Sequence, residues 1–253
     1  MSKKNKFDPT KYQDLYQYIE ALREFKFKEG YTPLHPELFN YNELTDVDRK
    51  AFWKKIVHPD MLRAKELGEW NWVVEEPIHE VYSFPFLTEE FCNILIEESE
   101  HHNCYLSVND GPNGPDEYPT TDVRLATFPG ESVDDKPVND LYIDLLREFI
   151  YPIIEHVWKY KVKTWQWPFL ARYISHEQPF LDFHHDNCTC ALVVALNQEG
   201  VDYEGGGTFF ERQRWTDNKP TGYATLHPSR LTHRHGAKRV TKGTRYVLNT
   251  FID

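Results

Sequence analysis

The chain has 253 residues, which is enough for one large hydrophobic core with a smaller helical extension. Its formal net charge of −11 at pH 7 argues against a nucleic-acid partner, because phosphates attract a basic protein face. No apolar run reaches the roughly 20 residues that would span a bilayer, and the basic N-terminus lacks the apolar segment of a secretory signal.

The first part of the chain, to about Leu67, has the apolar spacing of helices. It contains "KYQDLYQYIEALREF" and then "NELTDVDRKAFWKKIV", with Asn42 or Thr45 as the N-cap. An extended segment, "VVEEPIHEVYSFPFL", follows. The next segment, "TEEFCNILIEESEHH", predicts a helix capped by Thr88.

The middle of the chain predicts a loop and then a strongly amphipathic helix. The loop is "VNDGPNGPDEYPTTD", which is dense in Gly, Pro, Asn and Asp, and the helix is "VNDLYIDLLREFIYPIIEHVW", interrupted near Pro152. From Trp165 onward, short β-rich runs alternate with turn residues. These runs are "WPFLARYIS", "CALVVALN", "GGTFFERQR", "GYATLHP", "RLTHRHG" and "TRYVLNTFID".

This pattern predicts an α+β fold with a mainly β core, a sandwich or barrel, flanked by helices. We expect a helical extension over residues 1–75, packed on a β domain over residues 76–253 whose barrel begins near residue 165. The four cysteines match no disulfide framework or zinc pattern, so we interpret them as free thiols: Cys92, Cys104, Cys188 and Cys190.

The segment "FLDFHHDNCTCALVVALN" places two histidines and an aspartate at the start of a strand-like run. Because side chains of a strand alternate between faces, His184 and Asp186 are expected to share one face and His185 to point away. The alternative is an ordinary polar strand end. A metal site needs a third ligand, for which the C-terminal region offers His227, His233 and His235.

The position of Arg245, ten residues after His235, favours His235 as the third ligand. Two histidines and one carboxylate can hold an octahedral Fe(II) with three positions left open for a bidentate oxo-acid and dioxygen. A guanidinium beyond the metal would bind the far carboxylate of that acid. The alternatives are a core histidine for His235 and a surface ion pair for Arg245.

Two further features accompany this pattern. Tyr173 precedes the His-x-Asp segment by one strand and could donate its hydroxyl to the same carboxylate, although a core tyrosine is nearly as good an interpretation. Gly205, Gly206 and Gly207 indicate a bulge or a close backbone approach beside the site.

These motifs resemble the Fe(II)- and 2-oxoglutarate-dependent oxygenases with a double-stranded β-helix, and among them the procollagen lysyl hydroxylases, including those of giant viruses. The similar strings include "FHHDNCT", "ALNQEGVDYEGGGTFF", "TLHPSRLTHRHG" and "GTRYVLNTFID", with "SFPFLTEEFCNILIEE" and "YPTTDV" upstream. They extend over most of the chain apart from roughly its first thirty residues.

The resemblance implies hydroxylation of peptidyl lysine at C5 in collagen-like Gly-X-Lys sequences. It also implies O2 as oxidant, succinate and carbon dioxide as by-products, and L-ascorbate as the reductant that keeps the iron ferrous. His184, Asp186 and His235 would be the iron ligands, Arg245 would anchor 2-oxoglutarate, and Tyr173 matches a family tyrosine. A homodimer is implied as well.

The chain departs from the family at Ala191 and Val193, where Thr and Asn are expected. Three alternatives stay open: a prolyl or other protein hydroxylase on this fold, a non-catalytic collagen- or metal-binding module, and a zinc hydrolase. The expected compartment is the cytoplasm of an infected cell for a viral protein and the endoplasmic reticulum lumen for an excised animal domain.

Two groups of residues near the motifs have no assigned role. His227 is either a hydrogen-bonded support, as His233 would be, or part of a second metal site shared across a subunit contact. Glu199, Asp202 and Glu204 could receive the substrate ammonium group, but a solvated loop is the favoured interpretation.

Overall fold

The protein is described by a computed structural model that covers residues 8, 11–12, 14–106, 120–163 and 166–253. Up to Leu67 the described chain is helical, as predicted, and its α-helices are α1 (Leu15–Lys28), α2 (Pro36–Phe39), α3 (Asp46–Ile56) and α4 (Pro59–Leu67). Thr45, not Asn42, caps α3, because its hydroxyl accepts a hydrogen bond from the Asp48 amide at 3.3 Å.

Three further helices pack on the sheet: α5 (Glu89–His102), α6 (Pro137–Leu145) and α7 (Tyr151–Trp158). Thr88 caps α5 as predicted, by accepting from the Phe91 amide at 3.3 Å. A π-helical turn over Leu146–Ile150 separates α6 from α7, one turn before Pro152. Proline cannot donate to the carbonyl four residues earlier, and that carbonyl, of Glu148, accepts from Lys65 Nζ at 3.1 Å instead.

In the described residues, twelve strands form two antiparallel sheets. The larger has the order β1-β2-β10-β6-β12-β4-β3, with β7 paired to β12. Its strands are β1 (Glu75–Ile78), β2 (Val81–Pro85), β3 (Thr121–Arg124), β4 (Gln166–Ile174), β6 (Cys190–Ala195), β7 (Tyr203–Gly205), β10 (Tyr223–Pro228) and β12 (Val240–Ile252). The smaller sheet has the order β5-β11-β8-β9, with β5 (Leu181–His184), β8 (Thr208–Phe210), β9 (Trp215–Asp217) and β11 (His235–Ala237).

The larger sheet uses its two faces for different purposes. Leu170, Leu192 and Leu248 point to the helices and join the main hydrophobic cluster, which includes residues from both sides of position 75. Their neighbours Phe169 and Val247 belong to a second cluster on the opposite face, towards the smaller sheet. This alternation lets one sheet bury its helical face while its other face borders the site.

Two sequence predictions are wrong in part. The segment "RLTHRHG" is not a regular strand: residues 230–234 are irregular and only His235 begins β11. Residues 108–119 of the predicted loop lie outside the described residues, and its last two residues, Thr121 and Asp122, belong to β3. In the described part of the chain, no helix is long and apolar enough to cross a membrane.

Candidate metal centre and its cavity

Three side chains converge between the two sheets. His184, Asp186 and His235 each offer one ligand atom, and these atoms lie within 4.8 Å of one another. Nε2 of His184 is 3.3 Å from Asp186 Oδ1, and Nε2 of His235 is 3.6 Å from Asp186 Oδ2. Among the described residues, no other group of His, Cys, Asp and Glu meets the same geometric condition.

The ligands come from two paired strands and the segment that follows one of them. His184 is the last residue of β5 and pairs directly with His235, the first residue of β11. Asp186 lies two residues beyond the end of β5, in an irregular segment, and its carboxylate meets His184 on the same side of the chain. His185 is exposed and lines the edge of the same cavity, but it is outside the ligand group.

Backbone carbonyls orient both imidazoles. Nδ1 of His184 donates to the Asp182 carbonyl at 2.8 Å, and Nδ1 of His235 donates to the His233 carbonyl at 2.9 Å. With Nδ1 donating to a carbonyl, each ring turns Nε2 towards Asp186, and a metal that displaced the Nε2 proton would bind at that atom, as in metal-binding histidines. Two imidazoles and a carboxylate on one side of a cavity fit a divalent transition metal.

The charges of the group are set by burial and by one another. Burial raises the pKa of Asp186, but the charge of His235 and the hydrogen bond from His184 outweigh burial and lower that pKa. Burial lowers the pKa of His184, but the hydrogen bond and charge of Asp186 raise it above its ordinary value. Burial also lowers the pKa of His235. An ionised carboxylate therefore lies beside two imidazoles, a set of groups that a divalent cation can neutralise.

The group opens into a cavity of about 310 Å³ between the sheets. Residues of β4, β6 and β12 line one wall, and residues of β5, β8 and β11 line the other. A volume of this size suits a small organic acid beside the metal.

Arg245 lies in this cavity and is 6% exposed. Its Nη2 donates to Thr208 Oγ1 at 3.1 Å, and its guanidinium lies 5.6 Å from the ring of Tyr173, its direct partner across β12 and β4. Within the described residues it forms no ion pair with a carboxylate. A buried guanidinium without an anion is costly, so this residue is suited to an acidic ligand.

Tyr173 is buried in the same part of the cavity. Burial raises the pKa of its phenol to about 12, although Arg245 opposes the rise. The hydroxyl is therefore protonated and can donate to an acid. Tyr203, which also hydrogen-bonds the Arg245 side chain, and Thr208 are supports that sequence reasoning missed.

A second arginine of the cavity, Arg124, is different. Its Nε is 3.0 Å from Asp122 Oδ1, and its guanidinium lies 4.1 Å from the centre of the Phe169 ring. Because Asp122 already balances its charge, Arg245 is the better partner for an anionic ligand.

The glycine triplet makes the close approach that the sequence predicts. All three residues have positive φ angles, of 82°, 70° and 92° at Gly205, Gly206 and Gly207. A Cβ on Gly206 would lie 3.2 Å from Arg245 Cδ and 3.1 Å from Tyr203 Cε2. The triplet therefore lets the backbone pass against the arginine.

Ala191 and Val193 both line the cavity, so that part of its wall on β6 is apolar. Asn249 lies on the adjacent strand as the direct partner of Val193, and its side chain also lines the cavity. Sequence reasoning did not identify Asn249; its even spacing from Arg245 on one strand was the available signal.

His227 lies within β10 and is 0% exposed. Its Nδ1 donates to the Pro228 carbonyl at 2.9 Å, and its ring packs 4.7 Å from that of His235. Such burial gives His227 no surface for ligation across a subunit contact and favours the hydrogen-bonded support. His233 is a hydrogen-bonded support, with Nε2 3.1 Å from the His79 carbonyl.

The acidic candidates lie elsewhere. Glu199, Asp202 and Glu204 are exposed and do not line the cavity. Glu204 pairs with Lys242 at 2.9 Å, and Asp202 accepts from the Gln198 amide at 2.8 Å. The solvated-loop interpretation agrees with these contacts.

A family model for the OGFOD2-like domain matches residues 27–160, which is more than half of the chain. The chain belongs to the OGFOD2-like domain family. The matched range covers α2 to α7 and β1 to β3, whereas the candidate metal ligands lie beyond it.

Curated relatives of this OGFOD2-like chain confirm the resemblance that the motifs predict. The chain is 38% identical over 228 residues to the multifunctional procollagen lysine hydroxylase and glycosyltransferase LH3 of Rattus norvegicus, covering 87% of this chain. It is 35% identical over 222 residues to procollagen-lysine,2-oxoglutarate 5-dioxygenase 1 of Homo sapiens, covering 84%. The chain spans only 29% of the length of each of these relatives.

The fold is also that of a solved hydroxylase. A prolyl 4-hydroxylase of Phytophthora capsici superposes with a TM-score of 0.52 at 16% identity, over 84% of this chain and 68% of that chain. At such low identity the likeness concerns the fold. It confirms the predicted double-stranded β-helix with flanking helices.

Proposed function

We propose that the protein is an Fe(II)- and 2-oxoglutarate-dependent hydroxylase that acts on C5 of peptidyl lysine in collagen-like Gly-X-Lys sequences. One observation carries the proposal: a buried His–Asp–His group and a buried arginine without an acidic partner among the described residues share one cavity. A zinc hydrolase would leave that arginine without a function, and a non-catalytic module would need neither feature.

His184, Asp186 and His235 would hold Fe(II), with Asp186 as the anionic ligand. A bound ferrous ion would supply dioxygen activation coupled to decarboxylation of 2-oxoglutarate, and L-ascorbate would keep it reduced. The protein's part is positioning. Arg245 and Tyr173 bind the distal carboxylate, while the carbonyls of Asp182 and His233 keep both imidazoles turned towards the metal.

The relatives' names support lysine as the target, and the acidic chain suits a cationic substrate. Assembly as a homodimer is also part of this proposal, and it is supported by the family resemblance alone.

The test is a mass-spectrometric assay with Fe(II), 2-oxoglutarate, ascorbate and a Gly-X-Lys peptide. Lysine should gain the mass of one oxygen atom, and one succinate should form per hydroxylation. A matched peptide with arginine in place of lysine is the control. Oxygen incorporated at proline would reject lysine specificity, and absence of succinate would reject the oxygenase.

A further inference from the structure

Asn249 is a polar side chain on an otherwise apolar part of the cavity wall. Along β12, Arg245, Val247, Asn249 and Phe251 alternate with residues of the opposite face and all line the cavity. Within the described residues, the Asn249 carboxamide forms no hydrogen bond. Its amide nitrogen and oxygen are not among the buried polar atoms that lack a partner, so they are accessible from the cavity.

Its position relative to Arg245 determines what it can contact. Four residues along a strand separate their Cα atoms by roughly 13 Å. The arginine side chain extends over part of this distance, and a dicarboxylate of five carbons has acceptor oxygens at both ends. A donor on the same strand face can therefore contact oxygens that Arg245 does not.

We infer that the Asn249 amide group donates a hydrogen bond to the oxo-acid co-substrate and fixes its orientation. This inference rests on the proposed function. An amide can donate or accept, but an ionised oxo-acid offers only acceptors, so the Asn249 NH2 group must face the ligand. Asn249 thus supplies the polar contact that Ala191 and Val193 cannot provide.

The register of the sheet offers a decisive variant. Val193 is the direct partner of Asn249 across β6 and β12, and both side chains line the cavity. Directly opposed residues have Cβ atoms about 5 Å apart. The exchange Asn249→Val with Val193→Asn keeps the composition of the wall and moves the amide by one strand.

Binding is measured without turnover, by anaerobic calorimetry of 2-oxoglutarate with Mn(II) in place of Fe(II). Asn249→Val should weaken binding about tenfold, the effect of one hydrogen bond to a charged acceptor. Asn249→Asp, which has the same shape, should weaken it further, because the carboxylate cannot donate and repels the ligand. The exchange variant should bind within about threefold of wild type, and Val193→Asn alone should not bind more weakly than wild type.

Thermal unfolding of each variant separates loss of binding from loss of fold, and Asn249→Asp carries the test if Asn249→Val does not fold. Unchanged affinity in Asn249→Asp would overturn the inference while leaving the proposed function intact. A weaker apparent affinity for the peptide alone would also overturn it, since the amide would then contact the peptide substrate. Failure of the wild type to bind 2-oxoglutarate would instead reject the proposed function.

Discussion

His184 and His235 are direct partners across β5 and β11, and their ring centroids lie 4.6 Å apart. Backbone pairing therefore fixes the separation of the two nitrogen ligands before any metal binds. A centre built on paired strands holds its geometry more accurately than one built on loops. Only the carboxylate of Asp186 comes from an irregular segment beyond a strand.

His184→Ala should abolish tight Fe(II) binding, because it removes one of three ligands of the centre. His185→Ala is the matched control, since its exposed ring offers no atom to the group. Metal titration of the apoprotein followed by fluorescence or calorimetry would measure both affinities. Equal loss in the two variants would contradict the ligand assignment.

Arg245→Leu should weaken 2-oxoglutarate binding by on the order of tenfold or more, because a charge-assisted hydrogen-bond partner is lost. Fe(II) affinity should change little. Lys242→Leu removes a positive charge from the same strand, but the Lys242 side chain is 76% exposed and pairs with Glu204. That control should retain wild-type affinity in calorimetry. An equal loss in Lys242→Leu would indicate a general effect of net charge.

Gly206→Ala should lower both stability and 2-oxoglutarate affinity. Its φ of 70° strains any residue with a Cβ by about 1–2 kcal/mol, and the new methyl group would crowd Arg245. Gly200→Ala has a similar φ of 81° but no atom within 4 Å of the added Cβ.

Chemical unfolding and calorimetry of both glycine variants would separate the two effects. Gly200→Ala should show the strain alone, with unchanged affinity. If Gly206→Ala also bound normally, the contact with Arg245 would be unimportant for the ligand.

His102 should make the fold sensitive to acid. It is 0% exposed, and burial lowers its pKa to about 3. Between that value and the ordinary pKa of about 6.5, the unfolded chain binds a proton that the folded chain excludes, so stability falls as pH falls through this window. When the pH falls from about 7.5 to about 5.5, the free energy of unfolding should therefore decrease by about 1.4 kcal/mol less in His102→Leu than in the wild type.

Urea unfolding at the two pH values measures this difference. His101 is the neighbouring residue and is exposed, so His101→Leu is the control. Its free energy of unfolding should depend on pH as that of the wild type does. A variant His102→Leu with an unchanged pH dependence would show that His102 is not excluded from protonation in the folded state.

His227→Ala should leave the oligomeric state unchanged, because His227 is fully buried beneath the candidate metal ligands. Light scattering with and without chelator would measure this. We expect a dimer that is indifferent to both the variant and the metal. The variant should instead be less stable, since truncation leaves a cavity beside Phe210 and His235. Dissociation on mutation would restore the hypothesis of a shared site.

Local chemistry predicted much of the fold. The caps Thr45 and Thr88, the helices up to Leu67 and most of β4, β6, β10 and β12 followed from hydrogen-bonding side chains and apolar spacing. The segment around His233 did not: alternating residues predicted a strand, but contacts with distant groups such as the His79 carbonyl hold it in an irregular path. Such contacts are invisible to a local pattern.

The sequence by itself determined the residue types of the site, because His-x-Asp, a distal histidine and an arginine ten positions later form a specific combination. Only the tertiary structure decided how they meet. It ended β5 at His184, so that Asp186 comes from the irregular segment after the strand, and it buried His227 behind the group. It also placed Asn249 opposite Val193. Partners across a sheet are far apart in the chain, so their register depends on the packing of the whole barrel.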